Sequence, residues 1–156
     1  MATSPCVYVT QSKAFGYCLP KDDDAKSQDD THHLKRDGRS NEIYCDMKTD
    51  GGGWTVFQKR RDGSENLYRT FLEYQQGFGE LNGEFWLGLD AIHRLTVDVT
   101  LRIDMMAPGN SKAYAKYDDF SIGNAKSKNV IYFGRYSGTA GDALRIHKGM
   151  KFSTPD

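Results

Sequence analysis

The chain has 156 residues, and its 21 Lys+Arg balance its 21 Asp+Glu to a formal net charge of zero. That length suits one domain with a small second lobe and a core that needs no metal to hold it. The zero balance argues against a nucleic-acid binder working by bulk phosphate neutralisation and against a polybasic membrane-surface protein. With 38% hydrophobic and 27% charged residues, it does not read as a disordered chain either.

Nine Tyr, eight Phe and 16 Gly favour strands and turns over helix. No run approaches the roughly 20 apolar residues of a membrane span. The opening Met1-Ala-Thr-Ser-Pro-Cys6 has neither the charged nor the apolar region of a secretory signal. Cys6, Cys18 and Cys45 contain no Cys-x-x-Cys spacing, which weakens a zinc or thioredoxin-like reading. Three cysteines read best as one disulfide and one leftover thiol.

In chain order, Tyr17 to Pro20 reads as a short strand stopped by Pro20. Residues 21–42 hold almost no apolar side chain beyond Ala25 and Leu34, too few to offset the entropy of ordering. They read as an exposed loop, with its acidic stretch at 21–39. Ile43 to Met47 is a strand, Asp50 to Gly53 a turn, Trp54 to Arg60 a strand and Arg61 to Ser64 a turn. Thr70-Phe-Leu-Glu73 has the spacing of a capping box, which predicts a helix through Gln76 that stops at Gly77.

Glu84 to Gly88 is apolar enough to be buried, and Asp90 is expected to cap a short helix from Ala91 to Leu95. The clearest period-2 alternation runs from Val97 to Met105. It puts Val97, Val99, Leu101, Ile103 and Met105 on one buried face of an antiparallel strand. After a turn at Pro108 to Asn110, Lys112 to Tyr117 with Phe120 to Ile122 make the next strand and its continuation. Asn129 to Tyr136 makes another strand, and Ser137 to Asp142 a small-residue loop. Met150 and Phe152 look like core residues.

Catalytic signals are weak. There is no phosphate-binding loop, dinucleotide fingerprint or nucleophile elbow, so Gly51 to Gly53 is a turn and not a phosphate cradle. His32-His33 beside Asp29-Asp30 are metal-ligand types, but adjacent side chains diverge. Asp22-Asp23-Asp24 lacks the alternate spacing and glycine of a calcium loop and reads as a solvated acidic run. His93, between Ile92 and Arg94, reads as a packed, hydrogen-bonded side chain. Asp118-Asp119 would face opposite sides of a strand, which disfavours an acid–base pair.

From Ile43 onward a series of motifs stands in order: Tyr44-Cys-Asp-Met47, Thr49-Asp-Gly-Gly-Gly-Trp-Thr-Val56, Gln58-Lys-Arg60 with Asp62-Gly-Ser64, and Tyr74-Gln-Gln-Gly-Phe-Gly79. Then come Gly83-Glu-Phe-Trp-Leu-Gly-Leu89, Ile92-His-Arg-Leu-Thr96, Ala113-Tyr-Ala-Lys-Tyr117, Tyr136-Ser-Gly-Thr-Ala-Gly-Asp142 and His147-Lys-Gly-Met-Lys-Phe-Ser-Thr154. In these the chain resembles the fibrinogen C-terminal (fibrinogen-related) domain family, nearest its ficolin, tenascin and invertebrate-lectin branch. The resemblance covers residues 43–156 as a partial domain and leaves 1–42 as an atypical N-terminal segment.

The resemblance implies an α+β fold: a small N-terminal lobe with a disulfide, a central twisted antiparallel sheet with short helices, and a C-terminal lobe that carries calcium and ligand. It implies a secreted, non-enzymatic module, with lectin-like binding of acetylated sugars or pathogen surfaces in the full family. The alternatives are a matrix or receptor-binding module of tenascin or angiopoietin type, and a fragment without a complete binding site. Cys45 is expected to pair with Cys6, or else with Cys18, since Phe15-Gly-Tyr-Cys-Leu-Pro20 is a shortened echo of the family's first strand. Either loop would contribute roughly 4 kcal/mol, so energy does not choose between them. Asp156 matches the acidic residue that opens the family's calcium run. The calcium ligands, the ligand-binding residues, a second disulfide and a strand returning to the central sheet are expected beyond it. A sheet lacking that strand would show an unpaired edge and expose Met150 and Phe152.

Overall fold

The structure is a computed structural model that describes residues 7–13, 18, 30–36 and 39–156, with side chains at 18, 31 and 42–156. Its strands are β1 (Val7–Lys13), β2 (Asp30–Arg36), β3 (Arg39–Asp46), β4 (Trp54–Arg60), β5 (Phe78–Gly79), β6 (Phe85–Trp86), β7 (Val99–Met106), β8 (Lys112–Ile122), β9 (Ile131–Tyr132) and β10 (Tyr136–Gly138). Two short helices, α1 (Phe71–Gln76) and α2 (Leu89–Leu95), accompany them. The main sheet runs β10-β8-β7-β1-β4-β3-β2, with β5, β6 and β9 branching from it, and all pairings are antiparallel. This is the expected α+β architecture with few helices.

Local chemistry explains several elements. The Thr70 hydroxyl accepts from the Glu73 amide while the Glu73 carboxylate accepts from the Thr70 amide, and α1 then ends at Gly77. The strand expected from Trp54 to Arg60 forms, and its first four residues, Trp54 to Phe57, are all buried. Between β3 and β4 the chain turns tightly through Asp50 at φ 44° and Gly52 at φ 71°. A Cβ on Gly52 would lie 2.2 Å from the Met47 carbonyl oxygen, so glycine is required there.

Other expectations are corrected. The segment read as an exposed loop holds β2, which forms a seven-pair hairpin with β3. Its backbone is satisfied by a neighbour, and as the last strand of the sheet its Lys and Arg suit an edge. The remainder of that acidic stretch, Tyr17, Leu19, Pro20 and Asp22 to Asp24 lie outside the described residues. Val97 is 61% exposed and not on the buried face. Asp98, at φ 51°, breaks the alternation, so the strand begins at Val99. Asp90 does not cap α2; Gly88 holds that position without a side-chain bond, and Asp90 lies in the first turn.

The strand expected from Asn129 to Tyr136 is divided into β9 and β10. The break falls opposite an irregularity in its partner. Val99 pairs with Phe120 but Leu101 with Tyr117, so β8 carries one extra residue around Asp118 and Asp119, the latter at φ 50°. On its other side β8 keeps one register, Ser121↔Tyr132 with β9 and Tyr136↔Tyr117 with β10. Opposite the bulge, the Gly134 amide donates to the Asp118 carbonyl at 2.6 Å while the Asp118 amide donates to the Arg135 carbonyl.

The expected unpaired edge is not found at the sheet centre, where β1 pairs with both β4 and β7. The larger core packs α2 and the buried faces of β7 and β8 around Phe57, Leu89, Ile92, Leu101 and Tyr117. Two hydrogen bonds tie α2 and its C-cap to Ile122 of β8. Thr96 Oγ1 accepts from the Ile122 amide, and His93 Nδ1 donates to the Ile122 carbonyl at 2.6 Å. A second core cluster gathers Ile43, Met47 and Leu95 around the disulfide.

Candidate functional site

The disulfide joins Cys18 to Cys45, with Cα atoms 5.6 Å apart. This corrects the first pairing expected, Cys6 with Cys45, in favour of the second. The bond is buried beside β4: Cys45 pairs with Thr55 across β3 and β4, and Thr55 Oγ1 lies 3.4 Å from Cys18 Sγ. Cys6 lies outside the described residues.

The chain from Tyr132 to Asp156 forms the candidate site, because it presents exposed side chains on a fixed backbone. Two tyrosines peg its first loop. Tyr117 donates to Asp142 Oδ1 at 3.0 Å, and burial raises its phenol to about 12. Tyr136 accepts from the Gly141 amide. The following segment bonds back to β9: the Ile131 amide donates to the Met150 carbonyl and the Gly149 amide to the Ile131 carbonyl.

Phe152 then enters a ring cluster with Phe71, Tyr74 and Trp86, at centroid distances of 6.4, 5.3 and 5.9 Å. It is therefore half-buried, where exposure was expected; Met150 is 52% exposed. Tyr132 and Ile146 also face outward, among the exposed Arg135, Arg145, Lys148 and Lys151. Tyr, Met and Arg are the residue types enriched at protein interfaces.

Asp156 closes the segment. Its Oδ1 accepts from the Thr154 hydroxyl at 2.6 Å and from the Phe71 amide at 3.0 Å, and the Thr154 bond first, outweighing desolvation, lowers its pKa. Among the described residues no group of three or more His, Cys, Asp or Glu gathers as a metal site. Asp156 by itself does not make a calcium centre.

Asp30, His32 and His33 all stand on β2, with Thr31 between Asp30 and His32, and Asp29 is outside the described residues. Asp118 meets Arg135 at 3.4 Å. Asp119 sits at the bulge, so the structure does not bring the two aspartates together as a pair.

Two groupings were not singled out by motif. Glu84 is buried and accepts from the amides of Arg61, Asp62, Gly63 and Glu65. Arg102 holds Asp104 at 2.8 Å and Asp50 at 3.1 Å, stacks over Tyr114, and shares Asp50 with Lys116. The signals were a charged residue inside an apolar run and an Asp before three glycines, and neither indicates a partner across the fold. Both groupings are paired internally and serve structure.

The family described as "Fibrinogen beta and gamma chains, C-terminal globular domain" matches residues 20–156. Fibrinogen-like protein A of Apostichopus parvimensis is 53% identical over 116 residues, covering 73% of this chain and 41% of that protein. The fibrinogen-like globe domain of human ANGPTL2 superposes with a TM-score of 0.83 at 36% identity, over 89% of this chain and 66% of that one. Lamprey fibrin D-dimer, complexed with the peptide Gly-His-Arg-Pro-amide, gives a TM-score of 0.75 at 32% identity, over 85% of this chain and 48% of that one. The chain thus spans less than half the length of that curated relative. On the match over residues 20–156 and the shared fold, it belongs to the fibrinogen C-terminal domain family.

Proposed function

We propose that the chain is part of an extracellular, non-enzymatic recognition module whose partner is a protein. The observation that carries this reading is the lamprey relative of the same fold, complexed with a peptide ligand. The exposed Tyr132 and Met150, with the exposed Arg135 and Arg145, support it, since aromatic, Met and Arg side chains are enriched at protein interfaces. No helix of the described residues is long and apolar enough to cross a membrane.

The test is binding of the fluorescently labelled 156-residue chain to cultured animal cells. Protease pretreatment of the cells should abolish binding, N-acetylglucosamine should not compete, and Ile146→Asp with Met150→Asp should weaken binding about tenfold. Competition by N-acetylglucosamine would replace this reading with the lectin-like one. Absence of binding would end it.

A further inference from the structure

The chain holds one Asn-Gly step, Asn82-Gly83, and it lies in the link between β5 and β6. That link is a tight turn. The Gly83 amide donates to the Glu80 carbonyl at 2.8 Å and the Glu80 amide to the Glu84 carbonyl at 2.9 Å, which closes the hairpin over the Gly79↔Phe85 pair. Asn82 stands exposed in this turn. Among the described residues no hydrogen bond holds its side chain. Other asparagines are held: Asn66 Oδ1 accepts from the Tyr68 amide, Asn124 Oδ1 accepts from the Ser127 amide, and Asn129 Nδ2 donates to the Gly123 carbonyl.

The turn does not require glycine at position 83. Its φ lies outside the left-handed region, and a Cβ there would meet nothing nearer than the Glu80 carbonyl oxygen at 3.7 Å, an ordinary contact. Gly79 on the same hairpin is the contrast, since at φ 87° its Cβ would lie 2.3 Å from the Glu84 carbonyl oxygen. The missing side chain at position 83 has a chemical effect instead. It leaves the Gly83 amide nitrogen unshielded beside the Asn82 carboxamide, with which that nitrogen can close a five-membered ring. Asparagine is also one of the thermolabile residue types.

We propose that Asn82-Gly83 is a modification site at which water slowly converts the asparagine to aspartate and isoaspartate, loosening the turn that carries Glu84. Base removes the Gly83 amide proton, and the nitrogen attacks Asn82 Cγ. The new N–Cγ bond forms, the Cγ–Nδ2 bond breaks, and Nδ2 leaves as ammonia. Water then opens the cyclic imide at either carbonyl. One opening gives aspartate. The other routes the main chain through Cγ and gives isoaspartate, with one more carbon in the backbone. The bond from Gly83 to Glu80 sets the pace, because the attacking amide must first release it. Either product places a negative charge two residues from Glu84, and isoaspartate also lengthens the short span from Glu80 to Glu84. At the end of that span the Glu84 carboxylate gathers the amides of Arg61, Asp62, Gly63 and Glu65.

The folded chain is held in mildly alkaline buffer, with and without urea, and sampled over weeks. Peptide mass mapping and an isoaspartate-specific methyltransferase read position 82. The expected result is that the unaltered chain accumulates both acids, faster in urea than in buffer. Gly83→Ala, which the turn accommodates, should accumulate neither. The aged fraction should unfold at lower urea than the fresh chain. No product in the folded chain, aspartate without isoaspartate, equal conversion in Gly83→Ala, or equal rates with and without urea overturns the proposal. An aged fraction with the fresh chain's midpoint overturns the loosening. If Gly83→Ala does not fold, isoaspartate in the unaltered chain decides, since direct hydrolysis of the carboxamide cannot form it.

Discussion

Arg60, the last residue of β4, and Glu84, just before β6, form an ion pair with Arg60 Nη1 3.1 Å from Glu84 Oε2, a carboxylate whose side chain is fully buried. Burial alone would raise the Glu84 pKa. The amides of Arg61, Glu65, Gly63 and Asp62 together outweigh it and bring the value from 4.5 down to about 2. The ionised carboxylate thus organises the turn that follows β4.

Because the folded value lies below the unfolded one, this stabilisation is complete above pH 4.5 and is lost as pH falls towards 2. Its size is about 3 kcal/mol at neutral pH. Urea melts from pH 7 to pH 2 should show that loss, and Glu84→Gln should be less stable at pH 7 with a flatter acid limb. A variant with the original acid limb would assign the pH dependence to other carboxylates.

Opening the Cys18–Cys45 bond should cost roughly 3.5 kcal/mol, from the 27-residue separation it closes. Denaturant midpoints with and without reductant read this directly. Cys6→Ser should leave the oxidised midpoint unchanged, whereas Cys18→Ser should lower it.

Gly52→Ala should destabilise by about 2 kcal/mol or more, since the new Cβ meets the Met47 backbone and φ is positive. Gly63→Ala is the control. That residue also has positive φ, but no atom lies within 4 Å of its Cβ, so it should cost about 1 kcal/mol. Equal losses in thermal melts would remove the steric argument.

Phe152→Ala should loosen the ring cluster over α1. Half-burial limits the expected cost to about 2 kcal/mol, below the range for a fully buried ring. Trp86 stacks on Phe152, so its emission should shift to longer wavelength at low denaturant, before the main transition. An unchanged Trp86 spectrum would show that the segment does not rest on the cluster in solution.

Much of the architecture was legible in the chain because it rests on local rules. Thr70, Glu73 and Gly77 are within one another's reach along the backbone, so α1 could be read to the residue. The alternation of Val99 and Leu101 announces one wet and one buried face without any knowledge of the partner strand. The motifs from Tyr44 to Thr154 carried the family. What they did not carry was a site, because no cluster of titratable residues stands close in sequence.

The remaining features depend on contacts between distant segments. β2 is too polar to read as a strand, and it forms because β3 supplies its hydrogen bonds. The division between β9 and β10 falls opposite a bulge in β8, and the Cys18–Cys45 bond joins segments 27 residues apart beside Thr55. The central place of β1 is decided by two strands more than 40 residues away in the chain. Local propensity acts within a turn or an alternation. Register, disulfide partner and strand order are set by which backbone edges meet, and only the folded sheet brings those edges together.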